Sequence, residues 1–407
     1  MTLDSPSSST PRSPDQTSPG AGSLQNAGSM TVNTAIQCGS GKLSTSGTAD
    51  LTLETLAESA HTSALRVVAM GGGTGLSTLL RGLKWYVASP SPATAGSPAA
   101  QPHGDCPPLI SDLAAVVTVT DDGGSSGRLR KDFNILPPGD LRNCMVALSE
   151  DETLLTRLFC HRFRSGEGLE GHSFGNLFVA ALAEITGDFA QAIKLSSQVL
   201  ATRGHIYPAT ISNVSLSARM DDGSVVHGET NITASKHRIA QLILEPADAV
   251  PLPETLDALA RADLITIGPG SLYTSLITNL LVKGIPEALA AARGTRVYVC
   301  NLMTQANESL NLTASQHIER IYEHTGGPIF DYVLVNTAPV SEELRTRYAS
   351  EGAAPIEADI DRIEALGVRV IVGDFAAEGS VLRHDADCVA RTLMQIGIAS
   401  QARRSAD

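Results

Sequence analysis

Twice in this chain a short apolar run passes into a glycine turn and then into residues with helical spacing. Val67-Val68-Ala69-Met70 ends in Gly71-Gly72-Gly73-Thr74-Gly75, after which Leu76, Leu79, Leu80 and Leu83 recur on one helical face. Leu264-Ile265-Thr266-Ile267 ends in Gly268-Pro269-Gly270-Ser271, followed by Tyr273 and a helix through Leu276, Leu280 and Leu281. Such runs need cover on both faces, so strands alternating with helices predict an α/β fold built on an open, doubly wound, mostly parallel sheet. Further strands at 297–301, 332–336 and 368–372 extend it. Sheets of this kind bind ligands beyond the carboxyl ends of their strands. The polar clusters at Gly71, Asp121, Gly268, Asn301 and Asn336 all fall at such ends.

The first turn is not a full dinucleotide fingerprint, because Leu76 stands where the third glycine would fall, and no Lys-Ser/Thr follows to make a phosphate loop. What remains is backbone N–H at Gly72, Gly73, Thr74 and Gly75, and at Gly268, Gly270 and Ser271, able to face a phosphate at the positive end of a helix. A purely structural tight turn is the other reading. Between the two turns, Val116-Val117-Thr118-Val119-Thr120 runs straight into Asp121-Asp122-Gly123-Gly124-Ser125-Ser126-Gly127 and then Arg128 and Arg130. Asp121 or Asp122 can hold a divalent metal or ribose hydroxyls, and the arginines suit phosphate. An Asp-Gly hairpin is the competing reading, but a tight hairpin turn is much shorter than this loop.

Pro138-Gly139-Asp140 precedes a helix through Leu141, Met145 and Leu148, with Asp140 expected as its N-cap and Arg142 and Asn143 in its first turn. Gly171-His172-Ser173-Phe174-Gly175-Asn176 opens a long apolar helix and places His172 and Asn176 where anions bind or where caps sit. Helices are expected over 150–164 and 188–200. Segments within 205–245 around Asp221-Asp222-Gly223 predict a small antiparallel insert.

Residues 1–63 are rich in Ser, Thr, Pro, Gly and Ala and are expected to be disordered, with a short helix near 51–60. A flexible insert is expected at 89–110, within a domain spanning 64–400. The start offers Asp4, serines and prolines in place of a basic, then apolar, leader, and no long apolar span exists, so a cytosolic protein without a membrane helix is expected. The six cysteines form no C-x-x-C pair and read as buried thiols. A net charge of -13 argues against nucleic-acid binding.

The ordered motifs G-G-G-T-G-L-S from Gly71, D-D-G-G-S-S-G-R-L-R from Asp121, L-P-P-G-D-L-R-N-C from Leu136, G-H-S-F-G-N from Gly171, G-P-G-S-L-Y-T-S from Gly268, C-N-L-M-T-Q from Cys300 and V-N-T-A-P from Val335 resemble the YvcK branch of the YvcK/CofD-like family, the gluconeogenesis factors of bacteria. The resemblance implies a Rossmann-like protein that binds UDP-sugars, requires no cofactor, supports cell shape during gluconeogenic growth, and acts through a protein partner in cell-wall or shape control. The related CofD branch implies the alternative, a magnesium-dependent transferase moving a phospholactyl group from a nucleotide-linked donor. Only 4% of the residues are aromatic, which makes the flat slot for a flavin-like acceptor sparse. In the binding reading, the glycine turns take the diphosphate with Arg128 or Arg142 offsetting its charge; Asp121 or Asp122 takes hydroxyls, and Asn176, Asn301 and Tyr273 complete the pocket. A nicotinamide-dependent oxidoreductase is disfavoured by Leu76.

Overall fold

The computed structural model describes residues 64–88, 108–150 and 154–406, together with the backbone of β1 (Thr34–Ile36), β2 (Leu43–Thr45) and β3 (Thr48–Leu51). Continuous apolar sequence becomes doubly covered sheet, as expected. From Val67 to Gly71, every residue of β4 (Leu65–Gly71) is buried, and β5 (Ile110–Val117) is buried from Leu113 onward. The strand β6 (His205–Pro208) pairs in parallel with β5. A separate antiparallel sheet, in the order β8-β7-β9, contains β7 (Ser215–Met220), β8 (Val225–His227) and β9 (Ile239–Glu245). The chain then returns to the main sheet through β10 (Leu264–Ile267), β11 (Thr295–Val299), β12 (Tyr332–Asn336) and β13 (Arg369–Gly373).

The main sheet has the order β3-β2-β1-β13-β12-β11-β10-β4-β5-β6, and it is parallel from β1 through β6. From β4 the chain builds outward to β5 and β6; from β10 it builds the other way to β11, β12 and β13. The strands β4 and β10 are neighbours, with Val67 opposite Leu264 and Met70 opposite Ile267. Their connections therefore diverge above the sheet and leave a crevice at this switch point. The helices α1 (Gly73–Leu83), α2 (Gly124–Phe133), α3 (Gly139–Leu148), α4 (Leu154–Cys160), α5 (Phe174–Thr186) and α6 (Phe189–Val199) follow the first half of the sheet, and α7 (Glu229–Ala234) belongs to the antiparallel insert.

Several expected boundaries move. His205–Pro208 joins the parallel sheet and not the insert, because it continues the edge beside β5. Among the described residues the helix expected over 150–164 covers Leu154–Cys160, and a terminal helix runs from Ala386 to Ala406. Leu109 and Ile110 are already buried, so the expected insert ends before them; residues 89–107 lie outside the described residues. So does most of 1–63, including all but Leu51 of the expected short helix, while the strands β1, β2 and β3 fall within the stretch expected to be disordered. Their Thr, Leu and Ile content suits an extended edge. Cys144 and Cys300 are buried thiols, but Cys160 is exposed and Cys388 is disulfide-bonded, which corrects the uniform thiol reading.

Candidate functional site

The two glycine turns meet at the switch point. A Cβ added to Gly75 would lie 2.3 Å from the Pro269 carbonyl oxygen, so only glycine lets the turns touch. Gly73 has φ +59, and its N–H donates to Asp140 Oδ2 at 2.7 Å. Asp140 is thus not the N-cap of α3, a place held by Pro138; its carboxylate reaches across to fasten the first turn. Burial, with the negative charge of Asp121 nearby, pushes the Asp140 carboxyl up to about 6. On the other side, Asn301 Oδ1 accepts from the Gly270 N–H at 3.4 Å and Gln305 Nε2 donates to Ser271 Oγ at 3.1 Å. After Ser271 the chain makes a wide π-type turn, Leu272–Ile277, in which Leu276 N–H donates to the Ser271 carbonyl at 3.0 Å.

Above these turns lies a cavity of about 430 Å³. Its floor is Gly72, Gly73, Thr74, Gly75, Gly270 and Ser271; the segment Asn301–Gln305 forms one wall and Val381–His384 another, with Tyr348 at the side. Among the described residues Arg383 is the cation of this cavity, and His384 is tied by Nε2 to the Cys300 carbonyl at 3.0 Å. Burial holds the His384 imidazole down at about 4, so it is neutral at physiological pH. Sequence reasoning missed Arg383 and His384, since they sit on a short hairpin far along the chain with no motif around them.

The remaining sequence-predicted residues divide into two groups. Beside the glycine turn, Asp121 Oδ1 accepts the Gly123 N–H at 2.9 Å, which leaves its second oxygen near Ser126 and Gly139. Ser125 Oγ pairs with His172 Nδ1 at 3.0 Å and accepts from Asn176 Nδ2 at 3.2 Å; Arg142 Nε donates to Asn176 Oδ1 at 3.3 Å. Burial, then Arg128, lowers the His172 pKa, and Ser173, not His172, caps the helix.

Others do structural work away from the cavity. Asp122 Oδ1 accepts both the N–H and the hydroxyl of Thr230, at 2.9 and 2.5 Å, and so ties the loop to the insert. Arg128 donates to the Glu170 carbonyl, and Arg130 to Asn213 and the Val214 carbonyl. The Tyr273 ring is buried with its hydroxyl on the Ile239 carbonyl, and Asn336 bridges Phe375 N–H and the Ala338 carbonyl. Gly124 takes φ +47 at the start of α2, with Gly123 as its N-cap. Gly268 takes φ +88 against the Val299 carbonyl. Asn143 lines a different cavity, together with Arg142.

Two acids, half-buried Glu229 and buried Glu308, complete the surroundings and were not foreseen. Glu229, from the insert, accepts from Thr120 Oγ1 at 2.8 Å, and burial pushes its carboxyl up to about 8. Glu308 accepts from Tyr273 N–H and Thr274 Oγ1 and is also raised by burial. No Asp121–Asp140–Glu229 ligand set closes around a single point; among the described residues only the exposed trio Asp221, Asp222 and His237 does so. Asp121 and Asp140 are hard oxygen donors of the number that magnesium uses when water and phosphate supply the rest.

The comparisons agree with this architecture. Residues 67–376 match the family described as 2-phospho-L-lactate transferase CofD. A protein of Halalkalibacterium halodurans named gluconeogenesis factor is 46% identical over 81% of this chain and 95% of its own length. A protein of the same name from Bacillus subtilis is 44% identical over 81% of this chain and 98% of its own. A crystal structure of a UPF0052 family member from Bacillus halodurans superposes with a TM-score of 0.74 at 45% identity, covering 82% of this chain and 99% of that one. The chain therefore belongs to the CofD family, among the members named gluconeogenesis factors.

Proposed function

We propose that the protein senses UDP-sugars and, through a protein partner in cell-wall or shape control, links their supply to cell shape during gluconeogenic growth. The observation that carries this reading is the pair of glycine turns touching at the switch point beneath a cavity of about 430 Å³, a size suited to a nucleotide-sized ligand. The backbone N–H groups of Thr74, Gly75 and Ser271 receive the diphosphate, Arg383 offsets its charge, and Asn301 and Gln305 read hydroxyls or the base. The surrounding polar groups support binding over turnover. Asp140 is engaged in holding Gly73, His384 is neutral and pinned to Cys300, and Glu229 keeps its proton at pH 7.

A second reading is favoured by the carboxylates Asp121 and Asp140 beside the glycine turn: a metal-dependent transferase acting on a nucleotide-linked donor. There Asp121, helped by Asp140, would hold magnesium, which supplies charge to a phosphate in flight.

Calorimetric titration with UDP-N-acetylglucosamine, UDP-glucose, GTP and NAD, with and without magnesium, separates these readings. We expect saturable UDP-sugar binding without turnover, lost in Arg383→Ala and weakened in Asp121→Ala. Guanine-nucleotide preference with magnesium-dependent product would overturn the sensor in favour of the transferase.

A further inference from the structure

A second cavity, of about 500 Å³, lies between α1, α3 and α4 and, among the described residues, shares Thr74 alone with the first. Among the described residues its charged lining side chains are Arg81, Lys84, Arg142 and Arg157, with no carboxylate beside them. Lys84 donates to the Ser149 carbonyl. The three arginines form no ion pair among the described residues: Arg81 donates to Thr78 Oγ1 at 3.1 Å, Arg142 donates to Asn176, and Arg157 is exposed. Arg142 is 9% exposed, and burial pulls its pKa down, yet a guanidinium does not surrender its proton in a protein. Gly175 gives this side chain its room, since a Cβ there would lie 2.8 Å from Arg142 Cγ. Like charges gathered around one space repel unless an anion joins them.

The neutral lining narrows the class of anion. Asn143 adds a hydrogen-bond donor, while Val146 and Ala147 form an apolar wall that an inorganic ion would leave uncovered. Guanidinium forks match the oxygens of a phosphate. We propose that this cavity is a second ligand site, separate from the nucleotide site, that takes a small organic phosphate, its phosphoryl group held by Arg81, Arg142 and Arg157 and its carbon portion lying on Val146 and Ala147.

The test is calorimetric titration of the full chain with sn-glycerol 3-phosphate and with inorganic phosphate, at constant ionic strength in chloride. Saturable binding is expected, several-fold tighter for glycerol 3-phosphate. Arg81 and Arg157 are exposed, so the double variant Arg81→Ala/Arg157→Ala keeps the fold and should lose at least about tenfold in affinity. Asn143→Asp, which places a carboxylate in the cavity without changing its size, should abolish binding. Absence of saturable binding, or unchanged affinity in either variant, overturns the site. Equal affinity for inorganic phosphate overturns the assignment to an organic ligand.

Discussion

At the scale of single residues, the nucleotide cavity depends on groups that make room or hold backbone. Gly75 is the sharpest case, because a methyl there meets the Pro269 carbonyl oxygen at 2.3 Å and neither backbone can yield without parting the turns. Gly75→Ala should cost roughly 1–3 kcal/mol of stability, the usual range for overpacking. It should also weaken UDP-sugar binding out of proportion to the stability lost. Thermal melting and calorimetry on the same preparation check this; normal affinity would mean that the contact between turns does not shape the site. These glycines were legible in the sequence because their spacing is local. The role of Asp140 was not, since its partner Gly73 lies 67 residues away and only folding brings them together.

At the scale of elements, the antiparallel insert is more than a surface decoration. It sends Glu229 to Thr120 and Thr230 to Asp122, so it braces the carboxylate loop from outside the parallel sheet. The sequence announced a hairpin through Asp221-Asp222-Gly223, but nothing local marks Glu229 as a half-buried acid 109 residues from its partner. Its carboxyl is raised from 4.5 to about 8, so the folded state binds a proton that the unfolded chain releases above its ordinary range. For a raised acid, the stabilising contribution is complete below the unfolded pKa and fades as pH climbs through the folded one. Stability should therefore fall between about pH 4.5 and 8, with Asp140, raised to about 6, steepening the lower part. Glu229→Gln keeps the hydrogen bond from Thr120 without the titration and should flatten the fall above pH 6, gaining a few kcal/mol at pH 8. Denaturant midpoints across that range test it, and an unaltered slope would show that Glu229 does not titrate in the window.

For the molecule as a whole, the doubly wound sheet and its switch point were readable from two strand–turn–helix repeats, because continuous apolar strands and glycine turns are local signals. The second cavity was not. Arg81, Arg142 and Arg157 sit on separate helices, and each alone looks like a solvated charge. Among the described residues the two cavities share Thr74 alone, whose carbonyl accepts from Ser77 and Thr78, and Thr78 accepts in turn from Arg81. A diphosphate over the first turn and a phosphate in the second cavity would then be two anions on either side of one residue. Their repulsion predicts mutual antagonism. Saturating glycerol 3-phosphate should weaken UDP-sugar binding several-fold, and a saturating UDP-sugar should weaken glycerol 3-phosphate binding by the same factor, because coupling between equilibrium sites is reciprocal. The effect should shrink as salt rises, since charges near the surface are screened over about 8 Å at physiological ionic strength. Paired titrations, each ligand with and without the other at two salt concentrations, decide the matter. Independent binding would leave two sites without communication, and a weakening that keeps growing with the concentration of the other ligand would mean that the two compete for one cavity.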